Sequence, residues 1–107
     1  MKAYLHIKDR PEDGSLFELA KVGSHSVGRS SGNEVKVVEK AISRQHCRID
    51  HDGERFWLVD CESHNGTYVN GRRVRRCELQ DGDVIRVGHI NLTFSLSSPE
   101  AEDGSDF

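Results

Sequence analysis

Ile90, Leu92, Phe94 and Leu96 occupy every second position of one stretch, and Ala3, Leu5 and Ile7 do the same near the start of the chain. A period of two sends alternate side chains to opposite faces, so each stretch predicts a strand with one face for a core and one for solvent. A strand of this kind needs a second sheet to cover its apolar face. Similar β-prone runs recur at 16–19, 26–28, 35–38, 47–50, 55–60, 67–69 and 84–87. Between them stand dipeptides whose residues tolerate positive φ: Asp13-Gly14, Gly32-Asn33, Asp52-Gly53, Asn65-Gly66, Asn70-Gly71 and Asp81-Gly82. No segment carries a helical stripe. The pattern predicts an all-β sandwich or barrel, with functional residues on loops at one end.

The 107 residues suit one domain. A formal net charge of −3 denies the chain the positive field of a general nucleic-acid or anionic-membrane binder, so any anion site must be local. No stretch approaches the ~20 apolar residues that span a bilayer, and a soluble intracellular protein is expected, cytoplasmic or, in a eukaryote, nuclear. Cys47, Cys61 and Cys77 form no CxxC pair and leave an odd one over, which predicts reduced thiols. Residues 98–107 are acidic, include Pro99 and Gly104 and lack alternation; they read as a flexible tail or linker beyond a domain of residues 1–97.

Three polar clusters sit at strand ends: Val27-Gly28-Arg29-Ser30, Ser43-Arg44-Gln45-His46, and Ser63-His64-Asn65-Gly66-Thr67-Tyr68-Val69-Asn70-Gly71. Singly, each reads as a solvated arginine, a polar turn or a pair of hairpin turns. Together, in this order and spacing, they resemble the forkhead-associated (FHA) family, whose pattern is Gly-Arg, Ser-x-x-His and Asn-Gly-x-x-x-Asn-Gly. The likeness runs from the first strand to about Leu96. It implies an eleven-stranded antiparallel β-sandwich of two sheets, FHA/SMAD-like, that binds phosphothreonine peptides through loops at one end, with no chemical step and no cofactor.

Carried over residue by residue, the resemblance makes Arg29 the phosphate-binding arginine and Ser43 the hydroxyl donor. Arg44, in the next position, adds a further phosphate contact. Asn65 becomes the side chain that grips the peptide backbone. His64 stands where many members have serine or threonine, which leaves open a polar contact near the phosphate or an altered pocket for the threonine methyl. Gly28, His46, Gly66, Thr67 and Asn70 match residues that support the binding loops, His46 as a buried hydrogen-bonded brace. The implied partner is a phosphothreonine protein acting in trans, made by a serine/threonine kinase pathway. The chain's only threonines, Thr67 and Thr93, fall within predicted strands, so neither is expected to serve as a phosphothreonine ligand of its own.

Other readings compete. A hydrolase would take Ser43 or Cys47 as nucleophile and His46 as base, but no glycine-flanked elbow surrounds either. Zinc could be imagined on His46, Cys47, Cys61 and His64, yet adjacent strand residues point apart and Cys61-x-x-His64 is half a site, so no metal is expected. The run Arg72-Arg73-Val74-Arg75-Arg76 reads as a charged edge strand that resists aggregation. Alternatively it is a basic surface for acidic partners or nucleic acid, independent of phosphorylation; no aromatic residues interleave it for base stacking. Neither an enzyme nor a membrane partner is expected.

Overall fold

The computed structural model describes residues 2–7 and 16–97. Within them the chain forms β1 (Lys2–Ile7), β2 (Leu16–Glu18), β3 (Gly23–Gly28), β4 (Val35–Lys36), β5 (Cys47–His51), β6 (Phe56–Asp60), β7 (Thr67–Val69), β8 (Arg72–Val74), β9 (Arg76–Glu78), β10 (Val84–Val87) and β11 (Ile90–Ser97). One sheet has the order β2-β1-β11-β10-β7-β8 and the other β4-β3-β5-β6-β9. Strand pairs are antiparallel except β3 with β4, which run parallel with Val27 opposite Val35.

Alternation becomes packing through register. In the first sheet Leu5 faces Phe94 and Ile7 faces Leu92; in the second Ile49 faces Leu58. All six side chains are at most 2% exposed and meet between the sheets with Val27, Val35, Ile85 and Val87. Each contributes about 1.5–3 kcal/mol of burial free energy, which makes the sandwich a rigid base for its loops. Helix is absent among the described residues, so nothing there is long and apolar enough to cross a membrane as a helix.

Two expectations need amending. The arginine run is not one edge strand: it divides at Arg75 into β8 and β9, which edge different sheets. The run at 35–38 pairs only over Val35–Lys36 before the chain turns into a long loop. The Asp13-Gly14 turn and the acidic stretch 98–107 lie outside the described residues.

Candidate functional site

Three loops meet at one end of the sandwich: 29–34 after β3, 37–46 before β5, and 61–66 between β6 and β7. Arg29 leaves the end of β3 with its backbone N–H donating to the Ser43 carbonyl at 3.0 Å. Its Nε–H donates to the Ile42 carbonyl at 2.9 Å. That bond orients the guanidinium by one edge and leaves the terminal nitrogens of an exposed side chain facing outward. Gly28 allows the approach. A β-carbon there would overlap the Arg44 carbonyl oxygen and lie 2.8 Å from Asn33 Nδ2. The Arg44 carbonyl instead accepts from Asn33 Nδ2 at 2.6 Å and from the Ser30 amide at 3.2 Å, tying the first two loops together. The Arg44 side chain is exposed beside them.

Ser43 links the second loop to the third. Its Oγ accepts from the backbone N–H of His64 at 3.0 Å, so the hydroxyl hydrogen remains available to an external acceptor. Asn65 donates one Nδ2–H to the Ala41 carbonyl at 2.9 Å, which keeps Oδ1 and the second N–H for a ligand. The exposed His64 contributes through its backbone.

Behind these residues lie two buried fastenings. His46 is 0% exposed; its Nδ1 accepts from the Ser43 amide at 3.0 Å and its Nε2 lies 2.9 Å from the Gly66 carbonyl. Since a carbonyl only accepts, the ring is the Nε2–H tautomer and spans the two loops. Asp60, at the end of β6, accepts from the Ser63 hydroxyl at 2.6 Å, the Thr67 hydroxyl at 2.6 Å and the Ser63 amide at 3.1 Å. Burial pushes the Asp60 carboxyl up, but these hydrogen bonds outweigh it and hold the group below the usual carboxylate range. The Ser63 hydroxyl in turn accepts from the Gly66 amide at 3.0 Å, closing the third loop into a fixed turn, with Gly66 at φ 87. On the outer flank of the first loop, the buried His25 holds Glu34 at 2.6 Å through Nδ1.

The geometry gathers Gly28, Arg29, Ser43, Arg44, His46, His64, Asn65, Gly66 and Thr67 at this end. Asn70 it does not. Expected to support the binding loops, Asn70 sits at the far end of β7 with φ 52, donates to Asp83 at 2.9 Å and accepts from the Val84 amide at 3.0 Å. The chain needs a left-handed residue to turn into β8, and asparagine tolerates that conformation.

The competing chemistries fare differently. His46 addresses the Ser43 amide rather than its hydroxyl, so it is no base for that oxygen. Burial, reinforced by Cys61, pushes the Cys47 thiol far above its ordinary range, the reverse of an activated nucleophile. Among the described residues no group of three or more His, Cys, Asp or Glu side chains is placed to hold a metal ion.

Two contributors lay outside the sequence reading. Asp60 and Asn33 each serve a loop from a neighbouring element. The legible signals were modest: Asp60-x-x-Ser63 is the spacing at which a carboxylate caps a turn, and Asn33 stood within a dipeptide read only as punctuation.

A family model described as FHA domain matches residues 25–88, a span that contains every residue named above at the loops. The FHA domain-containing protein FhaA of Mycobacterium tuberculosis is 40% identical over 83 residues, covering 76% of this chain and 16% of FhaA. The glycogen accumulation regulator GarA of Mycolicibacterium smegmatis is 35% identical over 101 residues, covering 94% of this chain and 63% of GarA. The chain therefore spans less than two thirds of either relative. A solved structure from work on phosphothreonine-dependent FHA domain interactions superposes with a TM-score of 0.85 at 33% identity, covering 92% of this chain and 99% of that one.

Proposed function

This chain belongs to the forkhead-associated family, a phosphothreonine-dependent peptide-binding module, and we propose that Arg29, Ser43 and Asn65 are the groups with which it grips its ligand. The observation that carries the assignment is a shared economy of hydrogen bonds. Each of the three side chains is fixed by one internal bond and retains at least one unused polar group.

A phosphothreonine brings about −1.5 to −2 charges and three strong acceptor oxygens. The terminal nitrogens of Arg29 meet two of them as a planar fork, and the Ser43 hydroxyl donates to the third. Asn65 takes the adjoining peptide backbone, accepting from an N–H and donating to a carbonyl. Arg44 adds positive charge at the rim. His64 acts through the amide that aims Ser43, and its ring borders the place of the threonine methyl. The binding unit is residues 1–97.

The ligand comes from another molecule or from a distant segment of a longer parent. Thr67 is fully buried with its hydroxyl committed to Asp60, and Thr93 is held within β11, so neither serves as the module's own ligand. The module thereby recruits its protein to targets of a serine/threonine kinase, without catalysing a reaction. Calorimetry with a phosphothreonine peptide and its unphosphorylated twin tests the reading. Binding is expected only for the first, and Arg29→Ala should weaken it by about 30-fold or more while shifting the melting temperature by no more than a few degrees. Equal binding by parent and Arg29→Ala would remove the phosphate site from this place.

A further inference from the structure

The outward face of the first sheet carries a feature that phosphate recognition leaves unused. Tyr68 on β7 stands opposite Arg73 on β8 and opposite Arg86 on β10. Directly opposed residues share a face, and their neighbours Thr67, Val69, Ile85 and Val87 all point into the core. Arg73, Tyr68 and Arg86 therefore form one cross-strand row in solvent.

The row abuts the phosphate-binding loops. The Arg73 guanidinium lies over Gly66, so close that a β-carbon on that glycine would be 2.6 Å from Nε. At the other end Arg86 is aimed by an Nε–H bond to the Gly88 carbonyl at 3.1 Å, with its guanidinium carbon 5.6 Å from the centre of the Tyr68 ring. A pocket of about 340 Å³ joins Arg86 and Tyr68 to His89, Gly66 and Asn65. Asn65 thus belongs to both places.

Three of the other arginines are engaged on the protein itself. Arg48 pairs with Asp50, Arg55 with Glu78, and Arg76 is stacked on Trp57. Neither Arg73 nor Arg86 has a carboxylate partner among the described residues. Glu39, beside the pocket, is held by the ring and amide of His89. Glu62 and Asp60, the latter committed to the Ser63 and Thr67 hydroxyls, line a cleft together with Arg73 and Arg75. Arg86, with no ion-pair partner among the described residues, lines the same pocket as Asn65.

We propose that this row is a second anion-recognition surface, continuous with the phosphate cradle, that takes aspartate or glutamate side chains flanking the phosphothreonine on the same partner. The inference rests on the phosphothreonine reading above. Carboxylates fit better than single-stranded nucleic acid because the row holds one aromatic ring, with Arg86 over a face of it, rather than the successive rings on which bases stack.

The test compares two phosphothreonine peptides, one with aspartates at the flanking positions and one with alanines, against the full chain. The parent should bind the acidic peptide about 3- to 10-fold more tightly, as expected of two solvent-exposed ion pairs. That preference should shrink when salt rises from about 0.1 M to about 0.5 M. The double variant Arg73→Gln/Arg86→Gln should equalise the two peptides, and Arg29→Ala should weaken both. Equal binding of the two peptides by the parent overturns this proposal alone and leaves the phosphate site standing; failure of both to bind overturns the two readings together. A preference that survives in the double variant, or duplex DNA bound by the parent and released by the double variant, also overturns it.

Discussion

The two ends of the sandwich use polar side chains in opposite ways. At the end away from the site, turns consume what they carry. Asp52 accepts from the amides of Glu54 and Arg55, Asp83 from the Gln80 amide and from Asn70, and Asp81 from the Leu96 amide. At the proposed binding end, Arg29, Ser43 and Asn65 spend one group each on the protein and withhold another. The first arrangement maximises local stability. The second accepts groups whose remaining polar atoms are solvated until a ligand replaces the water, so recognition costs little reorganisation. What separates a turn from a site here is whether hydrogen-bonding capacity remains, since both are built from the same few residue types.

The contrast can be broken most forcefully at His46. His46→Ala leaves the Ser43 amide and the Gly66 carbonyl without their buried partner, which should cost about 2–6 kcal/mol at 1–3 kcal/mol per orphaned group. At about 4–8 °C per kcal/mol the melting temperature should fall by about eight degrees or more; an unchanged melting curve would refute the brace. Next comes Gly28→Ala, which forces the Arg44 carbonyl away and should cost about 1–3 kcal/mol of overpacking. Calorimetry should also find phosphopeptide affinity down by about tenfold, because Arg29 and Ser43 then lose their common frame.

A smaller effect should come from Asp60 and from pH. Its carboxyl titrates lower in the folded chain than its ordinary 3.8, so the folded state binds protons less readily than the unfolded one. The stabilisation is therefore complete above about pH 5 and is lost as pH falls through 3.8 toward the folded value. Asp60→Asn should flatten that part of the acid limb in denaturation curves taken between about pH 2 and 6. A limb of unchanged slope would assign it to other carboxylates. Smallest is Asn70→Ala at the opposite end, expected to cost about 0.5–1.5 kcal/mol with phosphopeptide affinity unaltered. A drop in affinity there would mean that the two ends are coupled.

Much of this was legible in the chain because alternation and turn dipeptides are local signals. Ile90 to Leu96 reads as β11 and Ala3 to Ile7 as β1 with no help from the rest of the fold. β8 and β9 escaped as separate strands for a physical reason: they are three-residue edge strands, each directing a single partly buried side chain, Val74 or Cys77, inward, too few for a period. The family resemblance carried by Gly28-Arg29, Ser43 and Asn65 pointed to loops that the fold gathers at one end, whereas the supports of the proposed site depend on contacts between elements distant in sequence. Asp60 acts on Thr67 and Asn33 on Arg44, and neither partnership leaves a periodic trace. Asn70 runs the other way: the family resemblance set it among the loop supports, and its bonds are to Asp83 and Val84 at the opposite end of β7.

The His46 ring has a consequence for how encounters proceed. By bridging the Ser43 amide to the Gly66 carbonyl it sets a fixed gauge between the two loops before any partner arrives. The spacing of the two loops is then set ahead of docking, which lowers the ordering cost on the receptor's side and leaves more of it to the incoming strand. Stiffening that strand into an extended shape should tighten the complex, chiefly by slowing its release.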